Sequence, residues 1–496
     1  MRIELLVIAS CALGCTSNGG DEASGGGGGK ADDGGPSVAQ CNVAVFGVED
    51  PGPLEPLWAQ NYAGSGLLRD SLLTPAERAV RVTIANSSES TPSPEFRALY
   101  PDAIWGRVDP DSIGDSHSHN TTALVLGPFA SSMLPGADGR IVNLQPGVDI
   151  ETNQGAGCGD PSSPRTLRFG SAGNSAIAEH ATTYAQCLWV GSVDPLGYAS
   201  DFSSGQPGTH LVATYADLSI RAMHDDVFGG TSAASPVAAG IGAHLRKAAP
   251  ELDADTIIEI LRKTADVPRA DDPRRARVGA GRLNLVRALA ATRAVRDGGV
   301  TAGAIDDAFL ASLAVETVRY ADVRALATDC EAYADGVREL YTAALLEPEA
   351  ERAAKRELAA FYRAHGVMVS ALFFERAAPD DVGLVAVARA MFGDRDLAAD
   401  RRGVALAMLA RAGVYDTSQL LAIGMDAAEH PFISIRALRL VGMQSGTTEA
   451  MCRRMVEIAS ALDVEDEAQV LTTAQVWSEA GEPLISACEA LGISWE

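Results

Sequence analysis

Gly229-Gly230-Thr231-Ser232-Ala233-Ala234-Ser235-Pro236-Val237-Ala238-Ala239-Gly240 joins a glycine turn to a run of small residues. The glycines reach backbone angles closed to other residues, and the small side chains let a helix pass close beneath a sheet. A serine at such a turn carries its hydroxyl to a helix N-terminus, where free N–H groups and the helix dipole face developing negative charge. Pro236 suits a first helical turn, so the helix is expected to open at Ser235-Pro236 and run to about Lys247. A purely structural helix start can have the same composition. The reading therefore turns on what surrounds this stretch.

Outward from it, between about 41 and 300, short apolar runs at 43–46, 80–85, 141–144 and 188–191 alternate with Gly/Pro/Ser-rich turns and helical stretches. Strands alternating with helices predict an α/β domain with a parallel sheet flanked by helices. Asp253-Ala254-Asp255-Thr256 begins a helix with Ile257, Ile258, Ile260 and Leu261 at helical spacing. After about 300 the texture turns to Ala, Leu, Arg and Glu. Amphipathic patterns at 402–411, 418–427, 433–441, 449–462 and 467–480 predict an all-α C-terminal domain over 301–496. Its rhythm resembles a HEAT-type solenoid, and a simple bundle fits as well. Such a domain offers a surface for a protein partner; it holds no catalytic constellation.

At 496 residues with 47% apolar and 21% charged residues, the chain is no peptide and is not generally disordered. Forty Lys plus Arg against sixty-five Asp plus Glu give a net charge of −25, which repels phosphate backbones and excludes nucleic acid as a partner. Arg2 precedes a short apolar run ending at Ala12-Leu13-Gly14-Cys15, too short to span a bilayer and expected to be a signal peptide. The last four residues look like a bacterial lipobox, which implies an acylated Cys15 and an exported, cell-envelope or secreted protein; Glu4 departs from that pattern. Residues 16–40 form a Gly-rich tether. Membrane contact is expected only through that lipid anchor. Six cysteines remain beyond Cys11 and Cys15. They allow 15 pairings, and proximity favours Cys158 with Cys187 and Cys452 with Cys488, with buried free thiols the competing reading.

The opening segment resembles the Gly-Thr-Ser-x-Ala-x-Pro nucleophile motif of the subtilisin-like serine proteases. Phe169-Gly170-Ser171-Ala172-Gly173-Asn174-Ser175 resembles the family's Ala-Ala-Gly-Asn segment. Residues 187–194 and Ala199-Ser200-Asp201-Phe202-Ser203-Ser204 resemble the strand and turn that follow, and Gly279-Ala280-Gly281-Arg282-Leu283-Asn284 resembles the closing turn. The resemblance implies Ser232 as nucleophile and Asn174 as oxyanion donor. His117-Ser118-His119-Asn120-Thr121 resembles the family's base motif; the shared His-x-Thr selects His119, with His117 in reserve.

Two departures stand out. The strand at 80–85 ends on Asn86 where the family places an acid. The 33 residues from Asn86 to His119 match about 32 in the subtilisin order. Glu49, Asp50 and Asp115 are the competing candidates. An amide can hold the imidazole in the wrong tautomer, so activity is expected to be attenuated. The second departure is length: 113 residues separate His119 from Ser232, against about 157 in that order. Ile141-Val142-Asn143-Leu144-Gln145-Pro146-Gly147 resembles the substrate-pairing strand, which implies Gln145, Gly147 and Gly173 as substrate-binding residues; Pro146 removes a backbone donor there.

The sequence thus leads to a serine endopeptidase using Ser232, His119, Asn86 and Asn174 on peptide or protein substrates. The chemistry requires no metal or organic cofactor. Calcium sites are common in the family, but no acidic loop here matches one. The competing reading is a catalytically weak or inactive pseudoprotease that binds peptides or acts as a scaffold.

Overall fold

Leu167–Ser171 and Leu188–Ser192 are buried along their whole length, as strands covered on both faces must be. They belong to a six-stranded sheet in which every neighbouring pair is parallel. In chain order its strands are β1 (Val82–Asn86), β2 (Gly139–Asn143), β3 (Ile150–Asn153), β4 (Leu167–Ser171), β5 (Leu188–Ser192) and β6 (His210–Ala213). The spatial order is β2-β1-β3-β4-β5-β6. The computed structural model describes residues 38, 40–41, 68, 71–86, 94–100, 116–127, 133–135, 139–143, 148–153, 163–174, 188–193, 199–200, 203–205, 210–213, 220–221, 227–267, 275–348, 352–364, 382–397, 399–462, 476 and 484–494. Cys15, the tether up to residue 37, the run at 43–46, Glu49, Asp50, Asp115, Gln145, Gly147, Cys158 and Cys187 lie outside them.

The chain leaves β1 for β2 on one side and returns to β3 on the other, so the order reverses beside β1. In open parallel sheets the crevice at such a reversal, at the carboxyl ends of the strands, is where ligands bind. Asn86 ends β1, Asn153 ends β3, and β4 runs through Ser171 toward Gly173 and Asn174.

One sheet face packs on α4 (Thr231–Ala248), which follows α1 (Pro75–Arg78), α2 (Pro94–Leu99) and α3 (Ser116–Val125). Ile84, Ile150, Leu167, Phe169, Leu188 and Val190 form one core with Ala234, Val237, Ala238 and Ile241 of α4. The small-residue stripe of α4 is explained by contact: a Cβ at Gly240 would stand 2.2 Å from Met133 Cβ, and one at Gly242 2.7 Å from Phe169 Cζ. The helix opens at Thr231, ahead of the expected Ser235-Pro236, which places Pro236 inside it. The cause is non-local, because the helix start is capped from another strand.

Next come α5 (Ala254–Thr264), capped by Asp253 as expected, and α6 (Leu285–Arg296), capped by Asn284. Beyond them the described residues are mostly helical, with α7 (Cys330–Leu346), α8 (Ala353–Ala364) and further helices at Val382–Gly393, Ala399–Arg411, Thr417–Met425, Pro431–Ser445 and Glu449–Ser460. These helices build two cores of their own. One takes in Cys41 and Leu68 from the start of the chain together with Tyr333, Val337, Leu340 and Leu358. The other gathers Leu406, Phe432, Ile435, Leu438 and Met455. Cys452 pairs with Cys488 as proximity suggested, whereas Cys41 pairs with Cys330, 289 residues away. Among the described residues no helix is long and apolar enough to cross a membrane.

Candidate active site

Gly230 sits at φ +82 and ψ 172, a conformation that favours glycine, and so turns the chain sharply into α4. Having no side chain, it cannot cap the helix it begins. Asn174 does so instead: its Oδ1 accepts from Thr231 N at 2.9 Å and from Thr231 Oγ1 at 3.0 Å. An amide oxygen held by two donors fixes the flip of the group, so the two Nδ2 hydrogens face the opposite way. Asn174 is exposed and Ser232, next along α4, is half-buried. The helix start therefore presents a hydroxyl, its own N–H and an oriented amide donor on neighbouring residues.

The surrounding bonds make this turn stiff. Gly173 N donates to Thr231 Oγ1 at 3.1 Å, and Ser171 Oγ donates to Thr231 O at 3.0 Å. One turn further along, Ser235 Oγ donates to Phe169 O at 3.1 Å. Its single proton being so committed, the 3.2 Å contact with Thr152 Oγ1 has Thr152 as donor.

That contact also locates Asn86. Its partner in the β1–β3 register is Thr152, so the end of β1 lies one strand from Ser235 and the first turn of α4. The side chain of Asn86 lies outside what is described. His119 is on α3, which packs against α4. The residue is 7% exposed, and its ring stacks on Phe96 of α2, with centroids 4.3 Å apart at 13°. His117 lies two residues earlier on the same helix. Its side chain is outside the described residues.

The structure thus joins Asn174, Gly173, Thr231 and Ser232 directly, and brings the end of β1 beside them through Thr152 and Ser235. The run at 141–144 is indeed a strand, β2, but it occupies the sheet edge beyond β1. The strand beside β4 is β3, with Asn153 opposite Gly170. Sequence reasoning overlooked β3; the alternation Val148-Asp149-Ile150-Glu151 was its signal. Ser171, Thr231, Thr152 and Phe96 were missed as supporting residues; Ser171 and Thr231 lie within the quoted motifs, Thr152 and Phe96 outside them. Among the described residues no group of three or more His, Cys, Asp or Glu side chains could hold a metal ion.

Residues 136–287 match the family model of the subtilases, a span that contains Asn174 and Ser232 and begins after His119 and Asn86. No curated protein matches the chain. Among solved structures, the prenylagaramide maturation protease PagA is similar at 18% identity and a TM-score of 0.34, over 46% of this chain and 98% of its own. The protease domain of PatA is similar at 19% identity and 0.32, over 45% and 97%. MycP1 without its N-terminal propeptide is similar at 17% identity and 0.35, over 47% and 96%. The turn into α4 lies within the segment, residues 136–287, that matches the subtilase family model.

Proposed function

We propose that the chain is a serine endopeptidase in which Ser232 Oγ attacks the scissile carbonyl. His119 takes the hydroxyl proton and returns it to the leaving amine. Asn174 Nδ2 and Ser232 N–H stabilise the oxyanion, and Asn86 orients the base. The observation that carries this reading is the pair of bonds from Thr231 to Asn174 Oδ1, because it turns a donor amide outward beside the N–H and hydroxyl of Ser232. Placement of α3 against α4 supports a base on α3, and the register of Asn86 with Thr152 supports an orienting group at the end of β1.

Export with a lipid anchor at Cys15 is part of the same proposal. Its support is the pair of disulfides, Cys41–Cys330 and Cys452–Cys488, since such bonds persist in oxidising compartments.

A fluorophosphonate probe tests the chemistry. The wild-type protein is expected to be labelled, Ser232→Ala not at all, and His119→Ala far more slowly than His117→Ala. Equal labelling of wild type and Ser232→Ala, or none of either, overturns the peptidase reading in favour of a peptide-binding role. A slower His117→Ala moves the base to residue 117.

A further inference from the structure

Ser171 ends β4 and is 6% exposed, and its hydroxyl donates to the carbonyl of Thr231 at 3.0 Å. That carbonyl belongs to the peptide unit whose other end is the N–H of Ser232. The unit is planar and trans, so its C=O and N–H point in opposite directions and cannot turn independently. Fixing the oxygen from behind aims the N–H in front. A hydrogen bond to the oxygen also polarises the unit and strengthens the N–H as a donor.

The remaining bonds of Thr231 come from the same strand exit. Asn174 accepts from its N and Oγ1, and Gly173 donates to its Oγ1. Residues 171, 173 and 174 thus grip Thr231 at its nitrogen, hydroxyl and carbonyl oxygen. Two of these grips set the amide of Asn174; the one made by Ser171 is directed at the peptide between Thr231 and Ser232.

We infer that Ser171 is a positioning residue for the oxyanion site, acting through the 231–232 peptide unit to set the direction and donor strength of the Ser232 N–H. The inference rests on the peptidase reading above. It gives this chain a hydroxyl-supported oxyanion N–H, and it predicts that losing the hydroxyl harms the chemical step while leaving substrate binding intact.

The test uses the full-length chain, a fluorogenic peptide that the wild type cleaves, and the fluorophosphonate probe. Ser171→Ala is expected to lower kcat and the labelling rate roughly tenfold, in line with the sensitivity of reaction rates to small misplacements, with KM within about twofold. Thr166→Val is the control. It removes a comparable buried bond from a hydroxyl to a backbone carbonyl, on Val148 O at 2.7 Å, without touching the turn into α4 or the 231–232 unit. Its kcat is expected to stay within about twofold even if its thermal midpoint falls. Unchanged kcat in Ser171→Ala, or equal losses in the two variants, overturns the inference while leaving the peptidase reading in place. An unlabelled wild type overturns both. If Ser171→Ala does not fold, Ser171→Cys, close in size with a weak donor, carries the same expectation and the same overturning result.

Discussion

The Nδ2 of Asn174 lies over Gly230 at the place where a side chain would begin: a Cβ built on Gly230 would stand 3.0 Å from it. The residue that turns the chain into α4 and the residue that caps α4 from β4 are thus in contact at the amide donor.

Replacing Gly230 by alanine should act twice. At φ +82 and ψ 172, a region essentially restricted to glycine, an L-residue is strained by roughly 1–3 kcal/mol, and the new methyl pushes the Asn174 amide off its bonds to Thr231. The expected loss in labelling rate and kcat per folded molecule is about 10²-fold, approaching the roughly 10²–10³ expected for Asn174→Ala, because both remove an oxyanion donor. A Gly230→Ala protein that is merely less stable, with wild-type kcat, would show that Asn174 does not need this clearance.

Asn86→Asp tests the end of β1. A carboxylate accepts from the imidazole N–H and stabilises the imidazolium, where an amide does neither reliably. In an unrelated protease fold the reverse change costs about 10⁴ in turnover. A gain of at least about 10²-fold in kcat near neutral pH is expected for Asn86→Asp. No gain moves the orienting role to another residue.

These variants probe what local reading could and could not deliver. The stretch from Gly229 to Gly240 was legible because turn, hydroxyl and small-residue helix are all local, and the runs at 80–85, 141–144 and 188–191 carried enough β-branched residues to be seen as strands, found at 82–86, 139–143 and 188–192. The start of α4 was misplaced because the usual signal, Pro236, outweighed a cap supplied by Asn174, 57 residues away. Run composition does not tell an edge strand from a central one. That distinction lies in pairing, so the stretch 141–147 read like a substrate strand while the short Ile150–Asn153 beside β4 went unseen. Proximity found Cys452–Cys488 but had no means of finding Cys41–Cys330.

Glu77 gives a pH-dependent prediction. It completes a capping box with Thr74 and receives Arg293 Nε at 2.9 Å and Arg296 Nη1 at 3.1 Å. Burial alone would raise its carboxyl; the hydrogen bonds from Arg293 and Thr74, with the charge of Arg293, bring it down from 4.5 to about 2. A depressed carboxylate stabilises the fold above its unfolded pKa, and that contribution disappears as pH falls from about 4.5 to about 2. Glu77→Gln is therefore expected to be less stable at pH 7, by at most about 3 kcal/mol, with the gap to wild type closing across that window. A gap independent of pH, measured by thermal or denaturant unfolding, would refute the assignment.

Asp266 ties the region of the sheet to the helices that follow it. Arg282 Nη2 donates to its Oδ2 at 2.6 Å and Arg287 Nη1 to its Oδ1 at 3.1 Å, all three side chains being buried. The same Arg287 donates to Glu347 O at 3.0 Å, and Asn284 donates to Leu345 O at 2.9 Å, at the end of α7. Glu347 in turn accepts from Ala354 N and Lys355 N, fixing the start of α8. One carboxylate thus compensates two buried guanidiniums, and one of them carries the connection across. Asp266→Asn removes the carboxylate's charge from beside both cations, which should destabilise the protein by about 3–5 kcal/mol. Because Arg287 spans both sides, the loss should not stay local. Amide hydrogen exchange is expected to rise in β4 and in α7 together, as in a single cooperative unit. Faster exchange in β4 alone would mean that the helical part keeps its own stability and that these hydrogen bonds dock it without coupling the two.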